Sequence, residues 1–364
     1  LSSQKNIGYL LNLYKELEKN NNVTLTLCGN YDDEYHENYG RREEGDYQTH
    51  IEELIDIEVI EYNSILEEHR QAMAEQAASV ASVLTGIPGQ NVTQELTTKF
   101  TLYTEKFGAD KFFYTHLLDV LFYRFTVLGE LCRIRIGKAI IKAVKERGAA
   151  NVHVLGHSLG TAVVHDALAS AYSKGFDIEN DITALSPEMH KLASVHLVAN
   201  VSRVLESFIH VDQSIVKPHS GCTYTYREYR HHYDPFTWVR PFNPPASPPW
   251  QPEPYKLIQI KRIAQLNTHD IAHYIENPLV HREMIPFFDQ SFWPENADKL
   301  NADTTYFNTS NKEIYREVAE KCDQLFDFPS GSVSDLLALV RSYLDIIKSY
   351  GSTLASTEEK DDEN

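Results

Sequence analysis

The sequence is short of positive charge. It sets 34 basic residues against 52 acidic ones, a formal net charge of −18, and so lacks the basic excess that neutralises a phosphate backbone or holds to an anionic membrane surface. Nucleic acid is therefore not an expected partner. The four cysteines, at 28, 132, 222 and 322, form no CxxC and no paired spacing. That excludes a small disulfide framework and a cysteine-based zinc site. Scattered thiols of this kind are expected to be buried and to suit a reducing compartment, with the cytoplasm the expected location. No apolar run approaches the roughly 18 residues a membrane span needs, and no basic segment followed by an apolar one opens the chain. A soluble protein without a transmembrane segment is expected. The chain opens on Leu1 rather than Met, which leaves room for an upstream segment and any targeting signal it carried. No internal repeat is present.

What is there reads as alternating strands and helices. Ile7, Leu10, Leu11, Tyr14 and Leu17 recur at helical spacing behind Ser2 and Ser3, predicting a helix over 3–19. VTLTL at 23–27 alternates like a half-buried strand, and Ile55, Ile57 and Val59 do the same beyond a polar, tyrosine-rich loop that runs to about residue 50. Strong helix formers follow at 67–84, and 110–147 is helical again with Gly148 as its stop. Val152, Val154 and Leu155 predict a short buried strand, and 196–205 and 255–266 predict two more. Between these last two, the proline-rich residues 240–254 are forced into an extended path, either a plain spacer or one wall of a cleft. Strands separated by long helical segments predict an α/β fold with a mostly parallel central sheet and helices on both faces. The expected organisation is one domain over residues 1–356, with helical insertions at about 65–147, a helical C-terminal part at about 300–350, and a disordered acidic tail at 357–364.

The stretch NVHVLGHSLGTAVVHDALASAY, residues 151–172, carries the chemical signal. Within it Gly156, Ser158 and Gly160 form G-x-S-x-G between a predicted strand and an Ala-rich helix. A serine at so tight a turn adopts a strained backbone and pushes its hydroxyl outward, and the flanking positions must be small because strand and helix nearly touch. The same turn aims the first helical amides at one point, so the Leu159 N–H is the expected oxyanion donor. The bland alternative is a glycine-bounded turn with an idle serine.

This motif in this setting resembles the α/β-hydrolase superfamily, especially its lipase-like members, in which GHSLG is a common form of the nucleophile elbow. The resemblance in motif terms covers residues 150 to about 285. It implies an α/β-hydrolase fold and a chain order of serine, acid, histidine. For the base it directs attention to NTHDIAHYIENP, residues 267–278, where His269 and His273 both qualify. His269 is preferred because it comes first after the strand, and because the segment is similar to the histidine segment of class 3 lipases, in which the leading histidine is catalytic. For the acid, Asp234 in HHYDPFTWVRPF leads and Asp212 is the fallback. His210, His219, His231 and His232 read as loop or surface residues. The set His231, His232 and Asp234 lacks the ligand spacing of a known metal site, so no metal is expected.

In one respect the chain departs from the family. No HG pair precedes the elbow to supply the second oxyanion donor. Either CGN, residues 28–30, supplies it or the donor strand lies upstream of Leu1, and the placement of the 3–19 helix favours the second. The resemblance implies a serine carboxylester hydrolase of the esterase or lipase type. It would work through an acyl-enzyme on a small-molecule or lipid ester, without a cofactor. An acyltransferase with the same triad, or a hydrolase-fold scaffold with an impaired site, are the alternatives. The aromatic stretch at 111–128 is either ordinary core or part of a lid or an apolar acyl pocket.

Overall fold

The computed structural model describes residues 23–29, 55–66 except 63, 126–287 except 205–210, 212, 239 and 251–253, 313–327, and short stretches within 119–124, 303–308 and 342–350. The expected helices over 3–19 and 67–84, the loop to about residue 50, the fallback Asp212, His210 and the tail lie outside the described residues, as does most of 111–125. Thirteen elements position the site: β1 (Val23–Gly29), β2 (Ile55–Glu61), α1 (Val127–Arg147), β3 (Val152–His157), α2 (Leu159–Ala171), β4 (Phe176–Ile178), β5 (Asp181–Thr183), β6 (Leu192–Val198), β7 (Thr223–His231), β8 (Tyr255–Ile260), α3 (Ile271–Ile275), α4 (Pro278–Met284) and α5 (Glu313–Asp323). The protein is α/β. Six strands in the order β2-β1-β3-β6-β7-β8 make one sheet in which every pairing is parallel, and β4 and β5 form a small antiparallel hairpin apart from it.

A parallel sheet needs cover on its faces, and β3 reads accordingly, with Val152 through Gly156 all buried. Val152 and Val154 of β3, Val195 and Leu197 of β6 and Tyr226 of β7 share one core with α1 and α2. Helix α1 starts on the Thr126 side chain, which accepts from the Leu128 N–H, and stops where Gly148 takes φ 79°. Its buried face recurs through Leu128, Cys132, Ile136, Ile140 and Val144, every fourth residue. Each such side chain taken fully out of water contributes about 1.5–3 kcal/mol. Cys132, Cys222 and Cys322 are buried and are not joined in disulfides.

Several expectations need correction. The strand expected at 196–205 starts earlier and ends at Val198, because Ala199 turns the chain at φ 50° and Asn200 Oδ1 then accepts from the Ser202 N–H. The strand expected at 255–266 ends at Ile260. Strand β7 was not expected, since TYTYREYRH looks too polar for a sheet interior. Its charges are neutralised locally: Glu228 is buried against Arg230 at 2.8 Å and accepts from the Tyr255 hydroxyl at 2.9 Å. The same strand overturns the surface reading of His231, which is fully buried. The described part of the proline-rich segment packs on the sheet and is not a free spacer. Phe242 and Trp250 are buried against Tyr226 and Tyr255, and the Phe242 carbonyl accepts from Arg230.

Candidate active site

The elbow follows from sterics at one glycine. A Cβ on Gly156 would stand 2.9 Å from the Gly160 carbonyl oxygen and 3.2 Å from the Thr161 Cα, so only glycine lets α2 start this close to β3. Ser158 takes φ 54° and ψ −126° as the residue before α2, a conformation that costs on the order of 1–3 kcal/mol. Neighbouring backbone holds it there. The Ser158 N–H donates to the Val198 carbonyl on β6 at 3.0 Å, its own carbonyl accepts from the Thr161 hydroxyl at 2.7 Å, and that hydroxyl accepts from the Val201 N–H. Its side chain stays half-buried, whereas the strand beneath it is sealed.

Asp234 leaves the sheet three residues after β7. It caps the short turn Pro235–Thr237 by accepting from the Phe236 N–H at 3.1 Å, with Pro235 at the first turn position where a missing N–H costs nothing. His269 lies between β8 and α3. Its loop is pinned on several sides: Thr268 donates to the Tyr233 carbonyl, the Tyr343 hydroxyl accepts from the Thr268 N–H and donates to the Leu266 carbonyl, and His157 Nε2 bonds the His269 carbonyl at 2.8 Å. Phe236 stacks on the His269 ring, centroids 4.1 Å apart.

The structure brings Ser158, His269 and Asp234 together. His269 Nδ1 stands 3.0 and 2.9 Å from the two Asp234 oxygens, and His269 Nε2 stands 2.7 Å from Ser158 Oγ. A carboxylate only accepts, so Nδ1 carries the imidazole proton, and Nε2 is left to accept from the serine hydroxyl. That is the tautomer in which His269 can take the serine proton and Asp234 can steady the cation that results. Asp234 is fully buried and His269 nearly so.

His273 is not brought to Ser158. Its Nε2 accepts from the Ala264 N–H at 2.9 Å, its ring faces that of His231 at 4.7 Å, and burial pushes it down to about 4. His231 is bound at both nitrogens by backbone, accepting from the Tyr233 N–H and bonding the Arg262 carbonyl. Leu159 opens α2, so its amide belongs to the first helical turn, whose N–H groups lack intrahelical acceptors. Strand β1 pairs with β3, Cys28 opposite Gly156, so the chain leaves β1 at Gly29 beside the elbow. Asn30 lies outside the described residues.

Two features were missed in the sequence. The Tyr274 hydroxyl donates to Asp234 Oδ2 at 2.7 Å and accepts from the His231 N–H at 2.9 Å. Burial first, and the Asp234 charge second, push this phenol well above its ordinary value, so it remains a donor. Nothing in HDIAHYI marks it. The second feature is another Ser-His-Asp set: Ser214 Oγ lies 2.8 Å from His165 Nε2, and His165 Nδ1 lies 3.1 Å from Asp166 Oδ1. Tyr123 donates to the other Asp166 oxygen at 2.7 Å.

Among the described residues no cluster of His, Cys, Asp and Glu could hold a metal ion, and no helix is long and apolar enough to cross a membrane. No protein-family model, curated protein or solved structure matches the chain.

Proposed function

We propose that the protein is a serine carboxylester hydrolase built on an α/β-hydrolase fold, with Ser158 as nucleophile, His269 as general base and Asp234 as the acid that orients it. The observation that carries this reading is the 2.7 Å approach of Ser158 Oγ to His269 Nε2 while Nδ1 of the same ring rests on a buried carboxylate. His269 takes the hydroxyl proton as Ser158 attacks the ester carbonyl carbon. The Leu159 amide stabilises the oxyanion, His269 returns the proton to the leaving alcohol, and water then releases the acyl group by the same path. The parallel sheet, with the serine at a positive-φ turn between β3 and α2, supports the fold assignment. The end of β1 beside Gly156 supports CGN as the source of the second oxyanion donor. Buried cysteines that are not joined in disulfides support a reducing compartment such as the cytoplasm.

The test is covalent labelling of Ser158 by a fluorophosphonate, together with turnover of p-nitrophenyl esters of increasing acyl length. Labelling lost in Ser158→Ala is expected. A folded wild-type chain that takes up no label would leave a hydrolase-fold scaffold as the better reading. Acyl transfer to an added alcohol in preference to water would assign the same triad to an acyltransferase.

A further inference from the structure

We propose that Tyr274 is a positioning residue of this site: its hydroxyl fixes the Asp234 carboxylate and sets how strongly that carboxylate supports His269. The inference rests on the reading of Ser158, His269 and Asp234 as a hydrolytic triad.

The His269 Nδ1–H is shared between both oxygens of Asp234, so any swing of the carboxylate about its own bonds would re-aim the imidazole. Each oxygen has a second donor that opposes such a swing. The Phe236 N–H holds Oδ1 at 3.1 Å, and the Tyr274 hydroxyl holds Oδ2 at 2.7 Å. The two donors come from different elements, the turn after β7 and helix α3. The Tyr274 oxygen is itself held by the His231 N–H, which leaves its single proton directed at Asp234. A chain of bonds thus runs from the β7 backbone through Tyr274, Asp234 and His269 to Ser158, all of it sealed from water up to the serine. In such surroundings each bond acts at low effective dielectric and polarises the next.

The hydroxyl also has an electrostatic effect with a definite sign. By donating to Asp234 it draws off part of the negative charge that would otherwise stabilise the His269 imidazolium. Replacing it with hydrogen leaves a more basic carboxylate and a more strongly favoured imidazolium. The base is then protonated over a wider range of pH, and the acid limb of the kcat/KM profile moves to higher pH. Other titratable or charged groups face this couple. They are His157 on β3, against the His269 carbonyl and ring; His231 on β7; Asp270, next in the chain; Tyr343, whose hydroxyl bonds the loop that carries His269; and Arg230, which acts on Tyr274 at longer range. All of them are common to the wild type and the variant, so a difference between the two reports on the Tyr274 hydroxyl.

The experiment compares the full chain with Tyr274→Phe and Tyr343→Phe. Tyr343→Phe is the control because it removes an equally buried phenol hydroxyl whose hydrogen bonds go to the loop that carries His269, at the Thr268 N–H and hydroxyl and the Leu266 carbonyl, rather than to Asp234. For Tyr274→Phe we expect kcat to fall about tenfold from loosened aim and the acid limb to rise by about half a pH unit. For Tyr343→Phe we expect a lower rate with the limb unmoved. Should Tyr274→Phe not fold, replacing Tyr274 with 3-fluorotyrosine, a stronger donor of nearly the same shape, is expected to move the limb to lower pH. A labelled, active wild type whose Tyr274 variants keep the wild-type limb overturns this inference alone. Absence of label on folded wild-type protein overturns the hydrolase reading and this inference with it.

Discussion

Ser158 with His269 and Asp234, and Ser214 with His165 and Asp166, use the same side chains at nearly the same distances, 2.7 and 2.8 Å from serine to histidine, yet they are opposite in what they bury. In the first set the acid is sealed, the base almost so, and the serine is half-buried on a backbone bent to positive φ. In the second the serine is only 3% exposed and the carboxylate is the outermost member, its side chain 22% exposed and shared with Tyr123 and Arg133. Ser214 Oγ also accepts from the Val216 N–H, so it serves as a backbone anchor. Under the proposed function the two sets differ in role although their hydrogen bonds match. Chemistry requires the nucleophile to be the member that faces outward, and the polarity of burial along the three residues decides this before any distance does.

Breaking the comparison at the serines should give the largest contrast. Ser158→Ala is expected to lower ester turnover by about 10⁴-fold or more and to remove fluorophosphonate labelling, whereas Ser214→Ala should label like the wild type. The cost of Ser214→Ala lies in stability. It strips the Val216 N–H and His165 Nε2 of a buried partner, at about 1–3 kcal/mol in a urea titration. Equal loss of labelling in both variants would erase the distinction.

At the acids the same logic predicts a similar gap. Asp234→Asn should reduce kcat by about 10⁴-fold, because an amide in place of the carboxylate can hold His269 in the tautomer whose Nε2 carries the proton. Asp166→Asn, partly exposed, should leave kcat within about twofold.

Acid should then separate catalysis from folding. Burial holds His153, His273 and His281 down to about 4 and His231 to about 3. Each folded value lies below the ordinary 6.5. The stability these groups contribute is therefore complete above about pH 6.5 and is lost as pH falls toward their folded values. Each contributes a loss of about 1.4 kcal/mol per pH unit in that window. The urea midpoint should be flat from pH 8 to 7 and drop steeply between pH 6.5 and 5. A midpoint unchanged at pH 5 would contradict neutral burial of these rings.

A single methyl group tests the elbow itself. Gly156→Ala places a methyl group against the Gly160 carbonyl, which is backbone and cannot swing aside. We expect about 1–3 kcal/mol of destabilisation, with labelling slowed more than the rate of any variant around Ser214.

Much of the candidate site was legible because its demands are local. A strand followed by glycine, serine and glycine and then an alanine-rich run is a steric instruction that needs no partner to be read. Asp-Pro likewise encodes its own turn, with Asp234 as cap and Pro235 following it. The later choices were not local. His269 and His273 lie four residues apart on one segment, and nothing between them says that one ring meets Ser158 while the other is occupied by the Ala264 amide. Strand β7 was overlooked because hydropathy counts Arg227, Glu228 and Arg230 as solvent residues, while the fold pairs or stacks them. Tyr274 carried no signal at all, since its role exists only where α3 crosses the end of β7.

The amino-acid sequence alone determined the strand before Ser158, the helix after it and the sharp turn between them, because each depends on sterics and hydropathy within a few residues; the order Ser158, Asp234, His269 was an expectation drawn from the family resemblance. The tertiary structure alone decided which imidazole reaches the serine, which carboxylate is sealed beneath it, and which of two Ser-His-Asp sets faces outward. Those outcomes depend on hydrogen bonds between residues up to 112 positions apart and on which groups the packed sheet removes from water.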